Sequence, residues 1–229
     1  MALAPGSNDA PRPRRLEVAP DRLGHWIESF GERHGGELAA EAGPEAVTFR
    51  AADGAEATCL VPFPPLAADA DATPEGLTTR LAAHATADRT VGVLLVRLGG
   101  YAAGVFAGAV PALVASKVGS RLVHGRSAAG GTSQRRFARR RENQAHQALA
   151  AAADTAAAVF GPFELDALIL GGDRRAFGGI RNDPRLAPYF DRAVDTFLTV
   201  PDPRLAVLRD TPRMFRAIRI TLIEPESVA

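Results

Sequence analysis

HGRSAAGGTSQRRFARRRENQAHQ, residues His124–Gln147, runs on into ALAAAADTAAAVF, residues Ala148–Phe160, and the reading of the whole chain turns on this stretch. A strand is expected to end at about Val123. A small-residue loop follows, Gly125 to Ser133, in which Gly130 and Gly131 permit backbone angles closed to other residues. A long helix is expected from about Gln134, and its first turns hold Arg135, Arg136, Arg139, Arg140 and Arg141. That placement opposes the helix dipole, which favours acidic residues at an N-terminus. It also stacks like charges at i,i+4, Arg135 over Arg139 and Arg136 over Arg140. Folding alone gives no reason for it. A polyanion gives one, because helix N-termini and guanidinium forks both bind phosphate. The bland alternative is a solvated arginine face in a chain whose single lysine is Lys117. The arginines are clustered here and scattered elsewhere, which favours an anionic partner.

Working outward, the helix has an expected core stripe at Phe137, Ala145, Leu149, Ala152, Ala156 and Val159 or Phe160. Its alanines favour helix and allow close packing on a sheet. Gly161-Pro162 ends it. LDALIL, Leu165–Leu170, reads as a buried strand, and Gly171-Gly172-Asp173 leads into a short helical turn. A strand over Val194–Val200, a helix capped by Asp202-Pro203 and running to about Asp210, and a last strand over Ala217–Ile223 complete this side. Upstream, TVGVLLVRL, Thr90–Leu98, is apolar and β-branched, as a central strand buried on both faces should be. Gly99-Gly100 turns it into a strand over Tyr101–Ala107, and a third over Ala112–Val123 closes a meander.

Earlier still, Leu23, Trp26, Ile27 and Phe30 recur at helical spacing, with Gly35-Gly36 as the stop. Trp26 reads as core rather than as a base-stacking platform. Asp53-Gly54 joins two strands, Ala46–Arg50 and Ala55–Pro62, as a hairpin. Thr73-Pro74-Glu75 starts a helix that ends near His84. The expected organisation is a disordered tail over 1–15, a helix, hairpin and helix over 16–89 packed on the core, and a core over 90–229. The fold class is α/β, with α+β as the alternative: a mixed sheet with flanking helices.

The chain has 229 residues and a net charge of +1, so nucleic-acid binding must come from a local patch. Cys59 is the only cysteine, which excludes an intrachain disulfide and reads as a buried small hydrophobe. No apolar leader or run of about 18 apolar residues is present, so a soluble cytoplasmic protein is expected. The histidines (His25, His34, His84, His124, His146) are dispersed and match no metal motif. No GxSxG elbow is present, and the glycines are not followed by the lysine that a Walker loop needs. Neither a metal nor a cofactor is expected. Gly171–Arg175 offers a second phosphate-loop candidate, for which a plain strand-to-helix turn is the simpler reading.

What remains is a glycine loop carrying Gln134, backed by arginines. A glutamine is neither acid nor base at neutral pH. Its amide and backbone N–H can orient a water, or stabilise a developing oxyanion, at an ester that is already reactive. Such a reaction needs help from another catalytic surface.

GGTSQRRFARRR at a loop-to-helix junction, after a meander and before LILGGDR, resembles the catalytic middle domain of eukaryotic and archaeal class-one peptide release factors. It is more similar still to the bacterial branch of the VLRF family (Vms-like release factors), over roughly Thr90–Ile223. That resemblance implies an RNase-H-like α/β fold and a ribosome-assisted peptidyl-tRNA hydrolase that rescues stalled ribosomes. It implies a loop shaped by Gly130 and Gly131, with Gln134 catalytic in the peptidyl-transferase centre of the large subunit. Arg126, Arg135, Arg136, Arg139, Arg140 and Arg141 would hold ribosomal RNA or the tRNA acceptor end. Thr132 and Ser133 separate the glycine pair from Gln134, a departure from the contiguous Gly-Gly-Gln of release factors that is nearer the VLRF form. Ser133 is also a suitable helix cap. The expected partners are the ribosome and peptidyl-tRNA, with neither a membrane nor DNA. The rival readings are a non-catalytic RNA- or ribosome-binding protein using the arginine helix, and a domain whose arginines meet an acidic protein.

Overall fold

A computed structural model describes residues 13–67, 73–97, 100–120 and 133–225, apart from the side chains of 133–143 and 145. In chain order the elements begin with β1 (Arg14–Val18), α1 (Leu23–Arg33), β2 (Leu38–Ala42), β3 (Ala46–Ala51), β4 (Glu56–Leu60) and α2 (Pro74–Thr86). Next come β5 (Val91–Arg97), β6 (Gly100–Ala107), β7 (Ala112–Ser120) and α3 (Ser133–Phe160). The remainder is β8 (Ala167–Gly172), α4 (Ala176–Ile180), α5 (Ala187–Phe190), β9 (Ala193–Leu198), α6 (Leu205–Phe215) and β10 (Ile218–Ile223). The chain divides into two compact units, Met1–Thr86 with Arg216–Ala229, and Ala87–Phe215. With two sheets, one of them mixed, and helices on both, the fold is α/β.

The first unit is an antiparallel sheet in the order β1-β10-β4-β3-β2. The Asp53-Gly54 turn closes β3 on β4 as expected: Gly54 has φ +91°, and the Ala55 N–H donates to Asp53 Oδ1 at 2.9 Å. Thr73 caps α2 by accepting from the Gly76 N–H at 3.1 Å. Leu23, Ile27 and Phe30 of α1 and Leu77 and Leu81 of α2 are buried with Val47, Phe49, Cys59, Ile218 and Ile220 of the sheet. Each fully buried side chain of this size contributes about 1.5–3 kcal/mol. Trp26 stacks on Phe30, with centroids 5.7 Å apart, on the edge of that core. Cys59 is buried within it, and burial pushes its thiol pKa up to about 12.

Three features of this unit differ from the sequence expectations. Arg14 and Arg15 belong to β1 and not to a tail, because they pair with Leu222 and Thr221. LAAEA forms the edge strand β2, since pairing with β3 overrides the helix preference of its alanines. The last strand, expected in the 90–229 core, lies between β1 and β4 instead. Its alternate residues Ile218, Ile220 and Leu222 fill the first core.

The second unit is a mixed sheet in the order β7-β6-β5-β8-β9. β5, β6 and β7 form the expected antiparallel meander. β8 and β9 run parallel to β5, each reached through helices. β5 is buried from Val91 to Val96, as a central strand with both faces covered must be. Ala103 and Val105 of β6 share a core with α3, whereas Phe106 meets Phe215 of α6 edge-on at 6.0 Å. The strand alternation therefore puts α3 and α6 on opposite faces. α6 runs on past the expected end at Asp210, through Pro212, to Phe215. Proline offers no N–H to the Leu208 carbonyl, and the Thr211 hydroxyl donates to that oxygen at 2.7 Å instead.

Candidate functional site

α3 has 28 residues and two unlike halves. Of the expected stripe, Ala152, Ala156, Val159 and Phe160 are buried in a core with Leu94, Val96, Ala103 and Val105, joined by Ala153, while Leu149 is half-buried and the side chains of Phe137 and Ala145 lie outside the described residues. Small side chains let the helix axis approach the sheet. On the outer face, Asp154 pairs with Arg185 at 2.7 Å, and Arg185 also holds Asp183 at 2.6 Å. These hydrogen bonds, Asp183 first, raise the Arg185 pKa above its ordinary value. Gly179 lets α4 come up to Leu149, whose Cδ1 would lie 2.9 Å from a methyl group at that position.

The helix direction follows from its ends. Phe160 lies against Gly92, near the start of β5, with its Cε1 3.5 Å from where a Gly92 methyl would sit. α3 therefore begins toward the opposite edge, where β5, β7, β8 and β9 end. From Phe160 back to Gln134 the helix axis covers about 39 Å. From Gly92 to Arg97 the strand covers about 17 Å. α3 is thus roughly 20 Å longer than the stretch of β5 it runs back along. Among the described side chains of α3, burial is partial at Gln144 and begins in full at Ala148.

The sequence-derived site residues fall in and before the first half of α3. Ser133 is the first residue of α3 and Gln134 the second; Arg135, Arg136, Arg139, Arg140 and Arg141 follow on the first turns. The first N–H groups of a helix have no intrahelical acceptor, and the Gln134 N–H is among them. The backbone thus places the glutamine and all five arginines on one helix start. The side chains of these residues, the cap expected of Ser133, and Arg126, Gly130 and Gly131 lie outside the described residues, as do His124 and the 121–123 end of the expected third strand.

The sheet edge below contributes further groups. Asp173 N–H donates to the Val96 carbonyl at 2.7 Å, an approach that Gly172, with φ +104°, makes possible. Asp173 Oδ1 accepts the Arg175 N–H at 2.9 Å, so the Gly171–Arg175 segment closes on itself as a strand-to-helix turn. Arg174 stacks over the Phe197 ring at 4.1 Å. Arg97, absent from the sequence-derived candidates, donates to the Val200 carbonyl at 2.8 Å and lies 4.0 Å from Asp202. Its signal in the sequence was the single charge closing an apolar run.

The near-neutral net charge conceals a segregation. Residues 87–215 hold 18 basic and 11 acidic side chains, a net +7, whereas the other unit holds 9 basic and 15 acidic, a net −6. Arg126, Arg135, Arg136, Arg139, Arg140 and Arg141 account for almost all of that excess: without them the second unit holds 12 basic and 11 acidic side chains. Among the described residues, no three His, Cys, Asp or Glu side chains converge as metal ligands do. No helix among them is long and apolar enough to cross a membrane.

Residues 89–221, more than half of the chain and almost all of the second unit, match the family model described as Actinobacteria/chloroflexi VLRF1 release factor. The comparison with curated proteins returns no match.

Proposed function

Because the chain belongs to the Actinobacteria/Chloroflexi VLRF1 release factor family, we propose that its release-factor role in translation is hydrolysis of peptidyl-tRNA on the ribosome. Water attacks the ester carbonyl carbon and the bond to the ribose oxygen breaks. A free peptide carboxyl group and an intact tRNA hydroxyl end result. Gln134 orients the water, or donates its amide or backbone N–H to the developing oxyanion. Gly130 and Gly131 shape the approach to it. Arg126, Arg135, Arg136, Arg139, Arg140 and Arg141 neutralise phosphates of ribosomal RNA or of the tRNA acceptor end. The large subunit supplies the rest of the site at its peptidyl-transferase centre, so the protein needs no strong base of its own.

The observation that carries this reading is the length of α3. A glutamine and five arginines start a helix whose buried side chains, among those described, lie in its second half and which is roughly 20 Å longer than the strand it runs along. Such an element can enter a narrow passage that the body of the domain cannot. The test is release of a labelled nascent chain from purified stalled ribosome complexes, with both product ends examined. The wild type is expected to free the peptide and leave tRNA whole. Gln134→Ala is expected to bind equally and release about 10²–10³ times more slowly, the usual cost of a lost oxyanion donor. Equal release by the variant refutes the role given to Gln134. Cut tRNA changes the reaction class. Binding without release by either protein leaves the arginine helix as an RNA-binding device, the reading that its charge cluster would support alone.

A further inference from the structure

The first unit carries an open groove of about 560 Å³ between α1 and α2, formed wholly by residues outside the family match. Ile27 and the glycines Gly24 and Gly31 line it, so one wall of the groove lacks side chains over part of its length. Glu28, Glu32 and Glu75 also line it, and all three are exposed. Among the described residues none of the three has an ion pair or a hydrogen-bonding partner for its carboxylate. Glu28 and Glu32 are four residues apart on α1, a like-charge spacing that weakens a helix. Glu75 faces them from the first turn of α2. The volume suits a short stretch of peptide and not a folded domain.

We propose that this groove docks a basic, partly apolar polypeptide segment, with lysine or arginine side chains meeting Glu28, Glu32 and Glu75. Charge complementarity selects that occupant. The groove belongs to the unit with net charge −6, which repels nucleic acid, while the net +7 unit bears the arginines that attract it. The chain thus has separate surfaces for two kinds of partner, RNA on one unit and basic protein on the other. This proposal is independent of the hydrolase reading and stands or falls without it.

The test is fluorescence anisotropy on the full chain with a labelled peptide of alternating lysine and leucine, at low and high salt. A glutamate-leucine peptide serves as the control. The wild type is expected to bind the basic peptide weakly, with the binding lost at high salt. Each of Glu28→Gln, Glu32→Gln and Glu75→Gln is expected to weaken it about 1.5- to 5-fold, and the triple variant roughly tenfold or more. Gly24→Leu leaves the charge untouched and is expected to weaken binding as well, because a side chain there meets no atom within 4 Å and extends into open space. Glu17→Gln, on exposed β1, is expected to change nothing. Unchanged binding by the triple variant overturns the proposal. So does full binding by Gly24→Leu beside a weakened triple variant, which would mean a diffuse acidic field. Sedimentation showing that the groove is filled by a second copy of the chain overturns it too.

Discussion

Ala156 tests the anchoring of α3 most directly. It is fully buried, in the same core as Leu94, Val96, Ala103 and Val105, and its methyl group sets how closely the helix lies on the sheet. Ala156→Leu adds three carbons where there is no vacant space. Overpacking of this kind costs about 1–3 kcal/mol. For a unit of this size each kcal/mol lowers the melting temperature by about 3–5 °C, so the expected drop is about 3–15 °C. Ala158, two residues on, is exposed, and Ala158→Leu makes the same chemical change with an expected effect within about 0.5 kcal/mol. The assay is thermal unfolding of both variants beside the wild type. Peptide release is then measured at a temperature where all three are folded. The Ala156 variant is expected to release more slowly even when folded, since a tilt at the anchored half is amplified at the far end of the helix. Equal melting temperatures for the two variants would refute the packing assigned to α3.

Three further outcomes are expected. Replacing Arg135 and Arg136 by alanine should lower the slope of log affinity for ribosomes against log salt by about 0.7–0.9 for each phosphate that is no longer neutralised, read from a salt titration. Gly172→Ala should destabilise the second unit by about 2 kcal/mol or more in urea unfolding, because the position has φ +104° and a methyl group there would collide with the Val96 carbonyl; Gly178→Ala, with open space around it, should be neutral or slightly stabilising. Asp53 accepts from the Ala55 N–H and from His34, and these bonds, Ala55 first, hold its pKa below the ordinary carboxylate value. A depressed folded pKa stabilises above the ordinary value and is lost as pH falls through the folded one. The stability gap between wild type and Asp53→Asn should therefore be constant near neutrality and close below about pH 4.

Local signals in the sequence carried most of the second unit. The apolar run Val91–Val96, the alanine stripe of α3 and the strand after Gly161-Pro162 needed no distant partner to be read. The Asp53-Gly54 hairpin and the Thr73 cap were legible for the same reason. β1 and β10 were another matter. RRLEV is mostly exposed and has the composition of a polar tail, and only pairing with residues some two hundred positions away makes it a strand. The candidate site was read from composition, since glycines, a glutamine and clustered arginines are visible as letters. Where the helix sits on the sheet was not, because that depends on which of its residues pack against β5 and β6. The charge segregation was hidden by a sum that cancels, and the groove by its assembly from α1 and α2, whose lining residues are more than forty positions apart.

The sheet of the first unit has a consequence for how the protein is made. β10 lies inside that sheet, between β1 and β4, yet it is synthesised only after residue 215. Residues 87–215 are contiguous in sequence and close their own core, whereas the strands before them need β10 from beyond that unit. Domains usually complete in the order of their synthesis. Here the acidic unit, although it begins first, cannot complete its sheet until the strand that follows the arginine-bearing unit is in place.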